Sequence, residues 1–119
     1  MWSPKLLDHF QHPRNAGDLT DADVSVEVAN PACGDILRLN MKVADGRIAE
    51  IRFKAKGCVP AMACGSALTE LVCGKTLSEI STLRREDVVE IVGGVPEAST
   101  HAGQLAIDAL AAALRKLQK

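Results

Sequence analysis

The chain has 119 residues, which suits one domain with its own core, taken as residues 1–119. Apolar residues make up 47%, yet Trp2, Phe10 and Phe53 are the whole aromatic set, so the core falls to Leu, Ile, Val and Ala. A net charge of −1 gives no footprint for nucleic acid or an anionic membrane; without a bilayer-length apolar run or a signal-like start, a cytoplasmic chain is expected.

Ser3 and Pro4 are an N-cap and a first-turn proline. With Leu6, Leu7 and Phe10 on one side they predict a short amphipathic helix that Pro13 stops. "RNAGDLTDAD" is a connector. From Val24 the apolar period becomes two: Val24, Val26 and Val28 alternate with polar residues, then Leu37, Leu39, Met41 and Val43, then Ile51, Phe53 and Ala55. The Asp-Gly pair in "ADGR" at 44–47 signals a hairpin, so three strands form an antiparallel meander.

After Gly57 the pattern turns helical. A run containing Ala61, Leu68, Leu71 and Val72 closes at Gly74, "TLSE" at 76–79 is a capping box, and a further helix near Glu86 to Val92 ends at Gly93-Gly94. Ser99 or Thr100 caps a last helix whose Arg115, Lys116 and Lys119 suit its C-terminal dipole. Strands followed by helices predict an α+β domain with the helices on one face of a three-stranded antiparallel sheet.

The four cysteines, Cys33, Cys58, Cys64 and Cys73, contain no CxxC pair. In a meander the first turn and the end of the third strand fall at one pole of the sheet. Cys33 and Asp35 in "NPACGD" should therefore meet Cys58, which directly follows the third strand. Cys58 opens a helix, where backbone N–H groups favour a thiolate, and Gly34 and Gly57 allow a bound group to approach the backbone closely. His101 at the next helix start offers a ring nitrogen. If the last helix docks there, Cys33, Asp35, Cys58 and His101 form an S2NO set suited to tetrahedral zinc or a small iron-sulfur cluster. Singly each residue also has an ordinary structural reading: a turn cysteine, a packed cysteine, a solvated histidine.

Five segments carry a resemblance: "LLDHFQHPRNAG" (6–17), "NPACGDILRL" (30–39), "DGRIAEIRFKAKGC" (45–58), "ACGSALTELVCGKT" (63–76) and "HAGQLAIDALAAAL" (101–114). In this order and spacing the chain resembles the U-type iron-sulfur cluster assembly scaffolds, the IscU and NifU N-terminal-like family. The resemblance implies a non-enzymatic scaffold that assembles a transient [2Fe-2S] cluster from iron and desulfurase-derived sulfide and passes it to acceptor proteins. It places the family's ligands on Cys33, Asp35, Cys58 and His101.

The family's third cysteine, immediately after the histidine, is Ala102 here. Two thiolates instead of three imply a labile cluster and leave zinc fully competent, so a zinc-binding sulfur acceptor or desulfurase regulator of the same fold is the rival reading. Cys64 lies six residues past Cys58, off its helical face, and Cys73 lies about 20 Å along the helix; core packing or exposure suits both better than ligation. "GVPEASTHA" at 94–102 lacks the basic residue of the family's chaperone-engaging segment, which puts an Hsp70-type partner in question. A cysteine desulfurase and iron-sulfur acceptors are the implied partners, and the chain is expected as a monomer or weak homodimer. A thiol enzyme using a Cys-His pair is a third reading, with no substrate pocket or orienting group visible in the sequence.

Overall fold

In the computed structural model, which describes residues 2–30, 34–95 and 101–117, the elements run in chain order as α1 (Pro4–Gln11), β1 (Val24–Asn30), β2 (Asp35–Ala44), β3 (Arg47–Lys56), α2 (Val59–Val72), α3 (Leu77–Ile80), α4 (Arg85–Ile91) and α5 (His101–Leu117). The strands make one antiparallel sheet in the order β1-β2-β3. The α+β meander expected from the alternation is therefore the architecture found. The Ser99 or Thr100 cap lies outside the described residues.

Asp45 and Gly46 make the two-residue β2–β3 turn with φ of 55° and 74°, the left-handed values such a hairpin needs. One feature departs from simple alternation. Lys42 pairs with Glu50 while Val43 pairs with Ile48, so Ala49 is an extra residue in β3, a bulge. The bulge turns Ile48 as well as Ile51 to the core, although the two are three apart, and both are buried. A strict period of two picks up only Ile51, Phe53 and Ala55.

Leu37, Leu39 and Met41 of β2 and Val24 and Val26 of β1 point to the same buried side. There α2 lies over β3, and α5 lies over β1 and β2 while also touching α2. With few aromatics, the helices reach the sheet through small residues. Ala63, Ala67, Ala106, Ala109 and Ala113 are fully or almost fully buried, and a Cβ on Gly65 would stand 2.9 Å from Phe53 Cδ2 and 3.2 Å from Leu37 Cδ1. Gly65 thus sets how closely α2 can lie on the sheet. The opposite face carries charge, with Arg38 3.2 Å from Glu27, Lys54 2.9 Å from Asp18 and Lys42 2.6 Å from Asp21.

The N-terminal segment guards the edge of β3. The Gly17 N–H donates to Phe53 O, and the Phe53 N–H donates to Asn15 O, both at 2.9 Å; an exposed edge is thereby covered. A polar seam joins this segment to α2. His9 is 5% exposed, its Nδ1 lies 2.8 Å from Ser66 Oγ and its Nε2 3.3 Å from Glu70 Oε1. The Arg14 N–H also donates to Ser66 Oγ, at 2.9 Å.

Burial pushes the His9 imidazole below its ordinary range, with Arg14 adding to the effect and Glu70 opposing it. A lowered folded-state value means the unfolded chain takes up the proton first, so His9 contributes stability that is full above about pH 6.5 and falls away as the pH drops through the folded-state value. Urea midpoints taken from about pH 7.5 to about pH 5 should fall, and His9→Gln should flatten that stretch of the curve. An unchanged slope in the variant would assign the acid sensitivity elsewhere.

Candidate metal centre

Asp35 is the first residue of β2 and stands in the same alternating row as Leu37, Leu39 and Met41, which faces the helices. That parity drives its carboxylate inward, where it is 2% exposed. A buried carboxylate requires hydrogen-bond partners. Here the Cys58 N–H donates to Oδ1 at 3.2 Å, and Cys58 Sγ and His101 Nε2 lie 3.3 Å and 3.2 Å from Oδ2.

Cys58 follows β3 after Gly57 and is the N-cap residue of α2. His101 opens α5, and its Nε2 is 3.8 Å from Cys58 Sγ. One oxygen, one sulfur and one nitrogen thus gather from β2, the β3–α2 junction and α5, with all three atoms within 4.8 Å of one another. Asp35, Cys58 and His101 are the residues that the meander geometry assigns to one pole. Cys33, the fourth member of the expected set, lies outside the described residues.

The edges of this triangle have chemical meaning. An ion held tetrahedrally with bonds of about 2.0 to 2.3 Å sets its ligand atoms about 3.3 to 3.8 Å apart. The observed 3.2, 3.3 and 3.8 Å lie close to those edges, so the three donors are spaced for a single metal ion.

Two expectations need correction. Gly57 does not clear space for a bound group; it clears space for Asp35. A Cβ at Gly57 would overlap Asp35 Oδ1 and stand 2.7 Å from its Cγ, and the residue has φ of +145°. At Gly34 the requirement is conformational, since φ is +74° and a Cβ would meet nothing within 4 Å. The second correction concerns the thiol. Burial pushes Cys58 up, and the Asp35 carboxylate adds to the rise, against the pull of the Ala61 and Cys58 backbone N–H groups. Desolvation outweighs the helix start, so the metal-free site holds a thiol that must lose its proton when it takes an ion.

The remaining cysteines are not part of the cluster. Cys64 is fully buried in α2 and its thiol is pushed up to about 12, chiefly by burial with a contribution from Cys58. Cys73 is the exposed C-cap residue of α2. Ala102, next to His101, is 1% exposed and belongs to the hydrophobic core.

The class of protein this defines is a small α+β domain carrying a mixed oxygen, sulfur and nitrogen pocket at one pole of its sheet. The model of the NifU-like N-terminal domain matches residues 1–119, and the chain belongs to that family. It is 45% identical over 114 residues to "Iron-sulfur cluster assembly scaffold protein IscU 1" of Archaeoglobus fulgidus, covering 96% of this chain and 74% of that one. It is 40% identical over 117 residues to the IscU scaffold protein of Escherichia coli K12, covering 95% and 91%. Among solved structures, the N-terminal NifU-like protein from Brucella abortus superposes with a TM-score of 0.81 at 21% identity, covering 98% and 93%, which places the fold. No helix among the described residues is long and apolar enough to cross a membrane.

Gly57→Ala should cost about 1 to 3 kcal/mol in urea unfolding, because either Asp35 or the β3–α2 junction must shift. The same variant should lose zinc affinity in a competition titration. Gly46→Ala, strained at the opposite end of the sheet with open space around it, should lose about 1 kcal/mol and keep its zinc affinity. Equal affinities in the two variants would show that Gly57 does not position the carboxylate for metal.

Proposed function

We propose that this chain is a non-enzymatic scaffold or carrier on which iron and sulfide are joined into a nascent [2Fe-2S] cluster and from which the cluster passes to an acceptor. Cluster and ions are cargo here. The single observation that carries the reading is the Asp35–Cys58–His101 triangle, whose edges fit one ion. Family membership and the scaffold names of the relatives point the same way.

Cys33 and Cys58 serve as thiolate ligands and His101 as the nitrogen ligand. Asp35 serves as a weak oxygen ligand. Its Oδ1 accepts from the Cys58 N–H while Oδ2 is the oxygen that meets the sulfur and the ring nitrogen, and a hard oxygen holds soft iron-sulfide weakly. Such a site releases its cargo readily. As a carrier, the chain works as a single domain in the cytoplasm, receiving sulfur from a cysteine desulfurase and delivering to iron-sulfur acceptor proteins.

A zinc-binding sulfur acceptor or desulfurase regulator is favoured by one specific feature. Ala102 stands where the resemblance expects a third cysteine, and the one-ion geometry suits zinc as well as iron.

Anaerobic reconstitution with ferrous iron and sulfide should give visible absorbance that Cys58→Ala and Cys33→Ala each remove almost entirely. A colourless wild-type protein that stimulates a desulfurase in its zinc form would favour the second reading and overturn the first. Ala102→Cys, which restores the third thiolate implied by the resemblance, should slow loss of the cluster to a chelator. An unchanged rate would argue that position 102 does not reach the cargo.

A further inference from the structure

The two edges of the sheet differ. On β3, Phe53 uses both its N–H and its carbonyl on residues 15–17, so that edge is covered. Phe53 stands opposite Leu39, whose own backbone groups therefore turn to β1, where Leu39 stands opposite Val26. Alternation then sends the backbone groups of Val24, Val26 and Val28 to β2 and those of Ser25, Glu27 and Ala29 out of the sheet. Lys116 Nζ donates to Ser25 O at 3.0 Å, in keeping with that assignment. Among the described residues no other hydrogen bond reaches these outward groups, and all three residues are exposed.

A groove runs beside this edge. α5 packs over β1 and runs against it: His101 reaches Asp35, the partner of Asn30, while Lys116 reaches Ser25. One cleft of about 340 Å³ opens between Ala29 and Asn30 of β1, Leu105 and Asp108 of α5 and Arg85 at the start of α4. A second, of about 250 Å³, lies at Ser25, Glu27 and Lys116.

The carboxylates along the groove already have partners. Glu27 is 3.2 Å from Arg38, and Asp108 accepts from Gln104 at 2.8 Å. The cations at its two ends are less well met. Among the described residues Lys116 binds only the Ser25 carbonyl, and the only carboxylate at Arg85 is the exposed Glu86 beside it, at 3.5 Å. A Cβ on Gly103 would stand 3.4 Å from the Arg85 carbonyl oxygen, so Arg85 sits at the first turn of α5. From there to Lys116 the helix rises about 20 Å, the length of about six extended residues.

We infer that the free edge of β1 receives an extended acidic segment of a partner protein, about six residues long, added antiparallel as a fourth strand with a carboxylate at each end for Arg85 and Lys116. Antiparallel addition lets Glu27, and again Ala29, exchange both N–H···O bonds with the residue opposite. The intervening side chains of the segment turn to the face that α5 covers, toward Leu105, which favours apolar residues there. A second copy of the chain fits less well. Pairing β1 with itself would set two α5 helices over strands about 4.8 Å apart, whereas packed helices need about 8 to 10 Å. This docking is independent of the metal reading.

The blocked peptide EVTVTE is the probe, with KVTVTK and an EVTVTE N-methylated on both threonines as controls. Chelator-treated protein should bind EVTVTE, moving the amide resonances of Ser25, Glu27 and Ala29 and protecting the Glu27 and Ala29 amides from exchange. Each control should bind at least about tenfold more weakly, the first for want of carboxylates and the second for want of donors facing β1. Arg85→Glu and Lys116→Glu, both at exposed positions, should each weaken EVTVTE about fivefold. Equal binding of the three peptides, or protection confined to strands other than β1, would overturn the added strand. Concentration-dependent dimerisation that protects the same two amides would assign the edge to a second copy and overturn the peptide.

Discussion

The buried carboxylate of Asp35 is the constraint on which the rest of the site depends. Removing an ionisable oxygen pair from water is costly unless hydrogen bonds replace the lost solvent, and at 2% exposure Asp35 has little water left. The replacement comes from the Cys58 N–H on one oxygen and from the Cys58 thiol and His101 imidazole on the other. Satisfying this one group therefore draws the end of β3, the start of α2 and the head of α5 to a common point. Gly57 is needed because any side chain there would occupy the carboxylate's own volume.

The core supplies the rigidity that such a convergence requires. Its helices approach the sheet through Ala and Gly rather than through large interlocking rings, so small changes in side-chain volume translate into shifts of whole helices. Two polar devices fix the remaining freedom. The His9, Ser66 and Glu70 seam ties α1 to α2, and residues 15–17 run along the edge of β3. Neither includes a residue of the metal cluster, so they set the frame without entering its chemistry.

In the scaffold reading, the donor set suits cargo more than a permanent cofactor. A closed structural zinc site uses four strong ligands, whereas here one of the three described donors is an oxygen already shared with neighbours, and the sulfur is held as a thiol until metal displaces its proton. In the scaffold reading, these features describe a site that binds by cooperation of several moderate ligands and lets go when any one is replaced.

Much of this was legible in the residue pattern. Alternation in Val24–Val28 and Leu37–Val43, the Asp-Gly turn and the capping box at Thr76 each encode local geometry within a few residues, and antiparallel order alone puts Asp35 and Cys58 at one pole. The row of alternating residues that places Leu37 and Leu39 in the core extends back to Asp35, a signal for its inward orientation that the "NPACGD" turn motif masks. The bulge at Ala49, the purpose of Gly57 and the upward shift of the Cys58 thiol were not legible. Each arises from atoms brought together across long sequence separations: a strand partner, a carboxylate 22 residues away, and the desolvation that packing imposes. The sequence by itself determined the elements, their order and the kinds of donor atom, because those follow from local stereochemistry and composition. Only tertiary packing decided the distances between donors and how much water each one keeps, because both depend on which surfaces the helices exclude from solvent.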